Sequence, residues 1–468
     1  MELNSLRSVY FLGIGGIGMS ALARYFIRRG ILVAGYDRTP TVLTDQLSEE
    51  GMRIHFEEDV TLIPTTIDLV IYTPAIPVEN EEYRYLAGSG IPMKKRAEIL
   101  GMIASGYKTI AVAGTHGKTT TSTMIAHMLG TAGLEHIAFL GGILKNDDSN
   151  FLSSKSALDG SPSMEKGSHA SHPVYCVVEA DEYDRSFLQL SPDIAIITSA
   201  DADHLDIYGN HSALQESFEA FTGKIREKGS LIMKLGLTVK PLRNHFYFEY
   251  AYSLNQEATF FAKNIRLERE VIHFDFVTPT EIIENMTLGV PGMFNLENAV
   301  AAMAAGYLAG ISTTDLARAI LSYQGVRRRF DFRIRRKDFV YIDDYAHHPE
   351  ELRACIGAAR ELYPGKRITA VFQPHLFSRT RDLADDFARS LEMADDLILL
   401  DIYPAREKPI PGITSRFLMD KINLARKSMV KKESIIDELK SRKPEVLLTL
   451  GAGDIDQLVA PIENAFKC

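Results

Sequence analysis

Residues 114–120 read Gly-Thr-His-Gly-Lys-Thr-Thr, between an apolar run, Thr109-Ile-Ala-Val-Ala113, and a helical pattern that begins at Lys118. A bound phosphate needs backbone N–H donors at a helix N-terminus, glycines that let the main chain approach, a lysine charge and a hydroxyl for Mg²⁺. All four are present. The spacing, Gly-x-x-Gly-Lys-Thr, is shorter than usual because Val112 stands where the first glycine is expected. The stretch predicts a strand, a phosphate loop and a helix, rather than a glycine turn with a chance lysine.

Two later apolar runs end in acidic clusters. Glu179 follows the first, and the second is followed by Asp201-Ala-Asp-His-Leu-Asp206. Ligands bind at the carboxyl ends of the strands in open parallel sheets, and Mg²⁺ prefers carboxylate and hydroxyl oxygens. We therefore predict a metal site formed by Thr119 and Glu179, with His204 at a second cation or at the transferring phosphoryl group. The alternative is that the clusters are solvated loop charge and helix caps.

A second glycine-rich turn lies near the N-terminus. Gly13-Ile-Gly-Gly-Ile-Gly18 follows a predicted strand and precedes a predicted helix, and Asp37 ends the next strand. This is the pattern of a dinucleotide-binding turn, with Gly13, Gly15, Gly16 and Asp37 as the candidate binding residues. NAD would fit it, and so would UDP linked to a sugar. The turn could also serve only to pack a helix closely on a strand.

Strands alternate with helical patterns along the whole chain, which predicts an α/β fold with mostly parallel sheets. We divide the chain into three domains, at residues 1–105, 106–326 and 327–468. Residues 255–290 alternate as antiparallel strands do. The serine-rich segment Lys145–Pro173 shows little periodicity and predicts a long flexible loop.

Composition excludes several classes of protein. The 468 residues carry a net charge of -9, so no basic surface points to nucleic acid or an anionic membrane. Cys176, Cys355 and Cys468 are too far apart for a disulfide framework or a metal motif. We find no leader peptide and no apolar run of the roughly 18–20 residues needed to span a bilayer. These features predict a cytoplasmic protein.

The two phosphate-binding patterns need one explanation. A loop that uses ATP, beside a second nucleotide site, favours a ligase that acts on a nucleotide-carried substrate over an NAD-dependent dehydrogenase. The same motifs form a set with others further along the chain: Phe11–Ser20, Gly114–Thr121, Glu179–Glu182, Asp203-His204, Asn295–Asn298, Arg328–Asp331, Asp343–Pro349 and Phe372–His375. Taken together and in this order, the set resembles the Mur ligases over about residues 8–455.

The resemblance implies three domains: an N-terminal Rossmann-like domain that binds a UDP-substrate, a central ATPase domain and a C-terminal Rossmann-like domain. It implies ATP and Mg²⁺ as co-substrate and cofactor. Phe11–Ser20 is most similar to the member that joins L-alanine to UDP-N-acetylmuramate through an acyl phosphate, in the synthesis of peptidoglycan precursors.

The resemblance also implies roles for individual residues. Catalysis is expected from Lys118, Glu179, His204 and Arg329, with Arg329 reaching the γ-phosphate. ATP is expected to contact Gly114, Thr115, His116, Gly117, Lys118, Thr119, Thr120, Asn295, Asn298, Arg329 and Asp344. The UDP-substrate is expected at Gly13, Gly15, Gly16, Met19, Ser20 and Asp37, and the amino acid at Tyr345, His347 and Arg379.

Simpler structural roles are open to several of these residues. Asn295 could cap the helix that follows it, the arginines at 327–329 could be solvated linker charge, and Asp343-Asp344 could be a strand-end turn. Leu376 stands after His375 where some family members carry a basic residue. Three other functions compete: a ligase that attaches a murein tripeptide to the same sugar nucleotide, an NAD-dependent dehydrogenase, and a regulatory module that binds nucleotides without catalysis.

Overall fold

The computed structural model describes residues 3–159, 173–201, 208, 210–405 and 407–467. It contains three β-sheets in two compact units. The first unit, Met1–Pro291 with Asn295–Gln324, contains the first and central sheets, and the second, Gly292–Phe294 with Gly325–Cys468, contains the third sheet. Among the described helices, none is long and apolar enough to cross a membrane. The predicted α/β fold is confirmed, with one mostly parallel sheet for each of the three predicted domains, while the domain boundaries stay predictions.

The first sheet has five parallel strands in the order β3-β2-β1-β4-β5. The strand order reverses at β1, so the glycine turn after β1 lies at the point where such sheets bind ligands. Apolar side chains of β1 alternate between two cores, with Phe11 on one face and Tyr10 on the other. The elements are β1 Ser8–Leu12, α1 Ile17–Arg28, β2 Leu32–Tyr36, α2 Val42–Glu49, β3 Arg53–His55, β4 Leu69–Tyr72, α3 Glu81–Gly88, β5 Met93–Lys95 and α4 Arg96–Ala104.

The central sheet has ten strands in the order β15-β14-β13-β12-β11-β10-β6-β9-β7-β8. Its middle is parallel, and β8, β14 and β15 pair antiparallel at its edges, as predicted for residues 255–290. The strands are β6 Lys108–Ala113, β7 His136–Leu144, β8 Ser149–Ser153, β9 Tyr175–Glu179, β10 Ile194–Ile197, β11 Ser230–Lys234, β12 Phe248–Ser253, β13 Phe260–Glu268, β14 Val271–Val277 and β15 Ile282–Leu288. The helices are α5 Lys118–Thr131, α6 Lys155–Asp159, α7 His211–Thr222, α8 Met293–Leu308 and α9 Thr313–Ser322.

The third sheet has the order β16-β17-β21-β18-β19-β20, and β16 alone among these strands runs antiparallel. Apolar cores cover both faces, as expected for buried parallel strands. The strands are β16 Asp331–Arg335, β17 Val340–Asp344, β18 Ile368–Phe372, β19 Asp396–Leu399, β20 Lys427–Met429 and β21 Val446–Leu450. The helices are α10 Pro349–Leu362, α11 Phe377–Asp382, α12 Ala384–Leu391, α13 Ser415–Lys421, α14 Ile435–Arg442 and α15 Val459–Phe466.

The prediction of a flexible loop over residues 145–173 was wrong in its first half. Residues 149–153 form β8 and residues 155–159 form α6. Phe151 is fully buried against Tyr25 and Phe139, and Asn150 is fully buried as well. The burial of Phe151 and Asn150 favours an ordered strand in spite of the nearby serines. A serine hydroxyl can bond the backbone of its own segment, as that of Ser149 does with Phe151, so serine content alone does not predict a flexible loop. Residues 160–172 lie outside the described part of the chain.

Candidate active site

The phosphate loop leaves the carboxyl end of β6, between the ends of β9 and β10. Gly117 is the N-cap of α5 and has a φ of 83°, in the left-handed region that glycine tolerates. A Cβ at Gly117 would lie 2.5 Å from Oδ1 of Asn298. A residue larger than glycine would therefore not fit at position 117. Gly117 lets the loop lead into the first turn of α5, whose backbone N–H groups can bind a phosphate.

Two residues at the end of β10 hold the loop in shape. The Ser199 hydroxyl accepts from the His116 N–H at 2.7 Å and lies 3.0 Å from the Thr115 hydroxyl. The Thr198 hydroxyl donates to the carbonyls of Ala113, at 3.1 Å, and His116. Sequence reasoning missed both residues, because a Thr-Ser pair at a strand end gives no charge signal.

Lys118 lies at the centre of the predicted site, and its ammonium is held at two points. It donates to the Gly114 carbonyl at 2.6 Å and to the two carboxylate oxygens of Glu182 at 2.7 and 3.0 Å. Glu182 is fully buried. Burial alone would lower the pKa of Lys118, but the carboxylates of Glu182, Asp181 and Glu179 raise it above its ordinary value. Lys118 is therefore charged and held in place at neutral pH.

The predicted metal residues Thr119 and Glu179 lie together. The Thr119 hydroxyl donates to the Glu179 carboxylate, with oxygen separations of 3.0 and 3.2 Å. Thr119 lies in the first turn of α5, which follows β6, and Glu179 ends β9. The hydroxyl and the carboxylate therefore lie at the same carboxyl edge of the central sheet. A carboxylate and a hydroxyl next to a phosphate loop form the set of hard oxygen donors that Mg²⁺ takes, with the remaining ligands supplied by water and nucleotide phosphates. His204 lies outside the described residues.

Gly141 on β7 makes room for this carboxylate. A Cβ at Gly141 would overlap with Oε2 of Glu179. We expect Gly141→Ala to weaken Mn²⁺ binding about tenfold or more, because the Glu179 side chain must rotate away, and displaced metal-site supports typically cost 10–100-fold in affinity. The electron spin resonance signal of free Mn²⁺ measures this. Gly88→Ala is the matched control, since a Cβ there meets nothing within 4 Å, and equal affinity in both variants would contradict the prediction.

The two asparagines predicted to contact ATP occupy different positions on α8. Asn298 lies beside the loop, with its Oδ1 at 3.4 Å from the Thr121 hydroxyl. Asn295 does not cap the helix, because α8 begins at Met293 and the Asn295 amide donates back to the Pro291 carbonyl at 2.6 Å. The structure therefore places Asn298 at the phosphate loop and gives Asn295 a local bond.

The glycine turn of the first sheet is closed by Asp37. Its carboxylate accepts the Gly15 N–H at 2.8 Å and the Thr39 N–H at 3.2 Å. Gly16 is the N-cap of α1, so the turn leads into a helix N-terminus as the motif predicts. The side chains of Met19 and Ser20 are buried, and Ser20 accepts a bond from Asn150. Gly13, with a φ of 87°, completes the turn.

In the second unit, Asp344 ties together two turns that carry predicted site residues. Its buried carboxylate accepts the N–H groups of Phe330, at 2.6 Å, and Ala346, at 2.7 Å. Arg329 lies beside it, 3.7 Å from a Glu351 oxygen, with its guanidinium 5.1 Å from the ring centre of Tyr345. Asp344 thus holds the backbone next to Arg329, a predicted ATP residue, and next to Tyr345, a predicted amino-acid residue.

Burial raises the pKa of Asp344 to about 7, against the opposing effect of Arg329. The folded protein then binds a proton that an unfolded aspartate, with a pKa of about 3.9, has released. Through this group the free energy of unfolding falls by about 1.4 kcal/mol per pH unit between roughly pH 4 and pH 7. We expect Asp344→Asn to lack this component. Urea unfolding at several pH values checks it, and identical pH dependence in the variant and the wild type would contradict it.

The residues predicted for the amino acid lie in a cluster of rings at the carboxyl edge of the third sheet. The ring centres of Tyr345 and His347 are 5.2 Å apart, and His347 lies 5.8 Å from His375. His375 stacks on Tyr403 at 5.7 Å. Sequence reasoning missed Tyr403, which follows β19 with no recognisable motif. Arg379 lies on α11, which begins directly after Leu376.

Leu376 has a φ of 67°, an unusual conformation for a residue with a branched side chain. Its N–H donates to the Tyr403 carbonyl at 3.0 Å and its carbonyl accepts from Thr380. The position at which the sequence departs from the family pattern is therefore fixed by backbone bonds to both of its neighbouring segments.

Comparison with known proteins supports the family resemblance along the chain. Residues 8–108 match the profile described as Mur ligase family, catalytic domain, residues 112–306 match the Mur ligase middle domain, and residues 328–453 match the Mur ligase, glutamate ligase domain. A UDP-N-acetylmuramate–L-alanine ligase from Parabacteroides distasonis is 48% identical over 99% of this chain and 98% of its own length. The enzyme of the same name from Porphyromonas gingivalis W83 is 47% identical over 98% and 99%.

Solved structures agree with this assignment. The crystal structure of a UDP-N-acetylmuramate–alanine ligase from Thermotoga maritima superposes with a TM-score of 0.80 at 26% identity, covering 98% of this chain and 99% of that chain. A murein peptide ligase from Psychrobacter arcticus has the same fold, with a TM-score of 0.75 at 21% identity over 98% of each chain. With profile matches in all three domains and relatives near 48% identity over nearly the whole length, the chain belongs to the Mur ligase family.

Proposed function

We propose that this protein joins L-alanine to the carboxylate of UDP-N-acetylmuramate and converts ATP to ADP and phosphate in doing so. The observation that carries the proposal is a set of curated UDP-N-acetylmuramate–L-alanine ligases that are 42–49% identical to this protein over at least 98% of the chain. The phosphate loop with Lys118, Thr119 and Glu179 supports the use of ATP. The reaction supplies a precursor of peptidoglycan, and we place it in the cytoplasm, where ATP is available.

ATP binds at the phosphate loop in this proposal. The N–H groups of the first turn of α5 face the triphosphate, and the charged ammonium of Lys118 is held at the mouth of the loop. Thr119 and Glu179 would hold Mg²⁺, which when bound neutralises charge on the phosphate oxygens. Asn298 lies beside the loop, with its Oδ1 2.5 Å from the point where a Cβ on Gly117 would stand.

The reaction then proceeds in two steps. An oxygen of the muramoyl carboxylate attacks the γ-phosphorus, the bond to the β–γ bridging oxygen breaks, and an acyl phosphate and ADP form. The neutral amine of L-alanine attacks the acyl carbon, loses a proton and expels phosphate, which leaves an amide. Lys118 stabilises the charge on the phosphoryl oxygens, and positioning with electrostatics supplies most of the catalysis. We assign the amino acid to Tyr345, His347 and Arg379.

The competing ligase, which attaches a murein tripeptide to the same sugar nucleotide, would use the same phosphate loop and metal residues. Its solved representative from Psychrobacter arcticus shares the fold at 21% identity, whereas the curated alanine ligases are 42–49% identical. The amine substrate therefore separates the two enzymes. In a ligase that acts on a sugar nucleotide, the glycine turn binds the UDP-substrate. The NAD-dependent dehydrogenase is therefore not needed to explain this turn.

The direct test is phosphate release from ATP with Mg²⁺, UDP-N-acetylmuramate and L-alanine, with each component omitted in turn. We expect release only with the complete mixture. Release with the murein tripeptide but not with L-alanine would replace the proposal with the tripeptide ligase. Absence of release with either amine would favour a nucleotide-binding module.

A further inference from the structure

Arg96 lies between the two phosphate-binding sites. It is the first residue of α4, directly after β5. Its Nη1 is 2.6 Å from the point where a Cβ on Gly18 would stand, at the first turn of α1. Its Nη2 lies 3.5 Å from Oδ2 of Asp181. One guanidinium therefore reaches both the glycine turn of the first sheet and the acidic loop, residues 179–185, which begins at the last residue of β9.

The acidic loop is directly connected to the ATP site. Glu179 accepts from Thr119, and Glu182 holds Lys118. Asp181 stands between these two glutamates in the sequence. Its negative charge acts on Lys118 in the phosphate loop. Asp181 is one of the carboxylates that raise the pKa of Lys118 against the effect of burial. A change in the partner of Asp181 therefore changes the potential at the metal and phosphate residues.

The β7–β8 hairpin contacts both sites. Gly141 on β7 packs against Glu179. The buried Asn150 on β8 donates to the Ile17 carbonyl at 2.6 Å and to the Ser20 hydroxyl at 2.8 Å, at the start of α1. Since these contacts join the two sites, the long side chain of Arg96 is the group between them that a bound ligand can move.

We propose that Arg96 is a positioning residue that couples the two sites. A diphosphate bound at Gly13–Gly18 draws the guanidinium away from Asp181, and the freed carboxylate strengthens binding of the divalent cation at Thr119 and Glu179. This inference rests on the proposed function, which places a sugar nucleotide at the glycine turn. Guanidinium groups bind phosphate oxygens in bidentate pairs, so the diphosphate competes well with a single contact at 3.5 Å.

The test measures Mn²⁺ affinity by electron spin resonance, with the non-hydrolysable analogue adenosine 5′-(β,γ-imido)triphosphate present, before and after addition of UDP-N-acetylmuramate. In the wild type we expect the sugar nucleotide to tighten Mn²⁺ binding at least about fivefold. Arg96→Gln removes the guanidinium from Asp181. In this variant we expect Mn²⁺ to bind tightly before the sugar nucleotide is added, and its affinity not to change afterwards. Asp181→Asn binds Mn²⁺ weakly both with and without the sugar nucleotide.

Lys95→Gln is the matched control. Lys95 forms the neighbouring ion pair, with Asp184 at 3.0 Å, and these side chains are 45% and 42% exposed, against 24% for Arg96 and 36% for Asp181. We expect this variant to respond as the wild type does, because a solvated pair contributes little.

The proposal is overturned if Arg96→Gln and Asp181→Asn keep the wild-type response, if both lose it from the same starting affinity, or if the wild type shows none. A direct titration of the wild type with UDP-N-acetylmuramate separates the two claims. Binding without any Mn²⁺ response removes only the coupling, whereas absence of binding removes the proposed function with it.

Discussion

Lys118→Ala is expected to lower the rate of ATP-dependent amide formation at least about a hundredfold, the loss typical when one preorganised charge-stabilising group is removed. Lys118 is held by Gly114 and Glu182 within hydrogen-bonding distance, so its charge is already in place when ATP arrives. Alanine can neither carry that charge nor bond the loop carbonyl. Phosphate release under saturating substrates measures the loss.

The single variant also affects stability, which a second variant separates from catalysis. Glu182 is fully buried, and removal of its partner leaves a buried charge at a cost of about 3–5 kcal/mol. The double variant Lys118→Ala with Glu182→Gln removes both charges. We expect it to recover thermal stability and to remain inactive. Recovery of activity along with stability would mean that Lys118 acts only by supporting the fold.

Glu179→Gln is expected to reduce the rate about a hundredfold at a fixed, low Mg²⁺ concentration and to raise the Mg²⁺ concentration needed for half-maximal rate. Glutamine keeps the shape of the side chain and can still accept from the Thr119 hydroxyl, which Glu179 does at 3.0 Å. It lacks the charge that a divalent cation requires. A Mg²⁺ titration of phosphate release shows whether the loss follows metal binding.

The control for Glu179 is a carboxylate that also accepts hydroxyl hydrogen bonds but lies at the amino ends of the strands of the same sheet. Glu135 precedes β7 and accepts from the hydroxyls of Ser154 and Ser156. Glu135→Gln is expected to keep the wild-type Mg²⁺ dependence. If both variants behaved alike, the effect at Glu179 would reflect general destabilisation and not a metal site.

The fold could be predicted where periodicity and buried apolar runs agree. The short apolar runs at Ile194–Ile197, Ile368–Phe372 and Val446–Leu450 coincide with β10, β18 and β21, because each run is buried on both faces. The segment around Asn150 could not be predicted, because its strand depends on contacts with α1, far away in the sequence. Local composition carries no information about such a partner.

The candidate site could be predicted where a residue belongs to a motif, and not where it acts through a neighbour. The proximity of Thr119 to Glu179 followed from strand ends that meet at one edge of the sheet. The bond between Glu182 and Lys118 did not, because nothing in the sequence says which carboxylate faces the loop. Arg96 belongs to a small basic run in the sequence, and its closeness to Gly18 and Asp181 appears only after folding.

The most direct test of the central claim follows the oxygen of the carboxylate. UDP-N-acetylmuramate labelled with ¹⁸O in its lactyl carboxylate is incubated with ATP, Mg²⁺ and L-alanine, and the released phosphate is examined by mass spectrometry. Passage through an acyl phosphate transfers one carboxylate oxygen to phosphate, so each phosphate should carry one ¹⁸O when both carboxylate oxygens are labelled. Unlabelled phosphate would mean that water, and not the carboxylate, attacks ATP, and that this chain does not activate the sugar nucleotide.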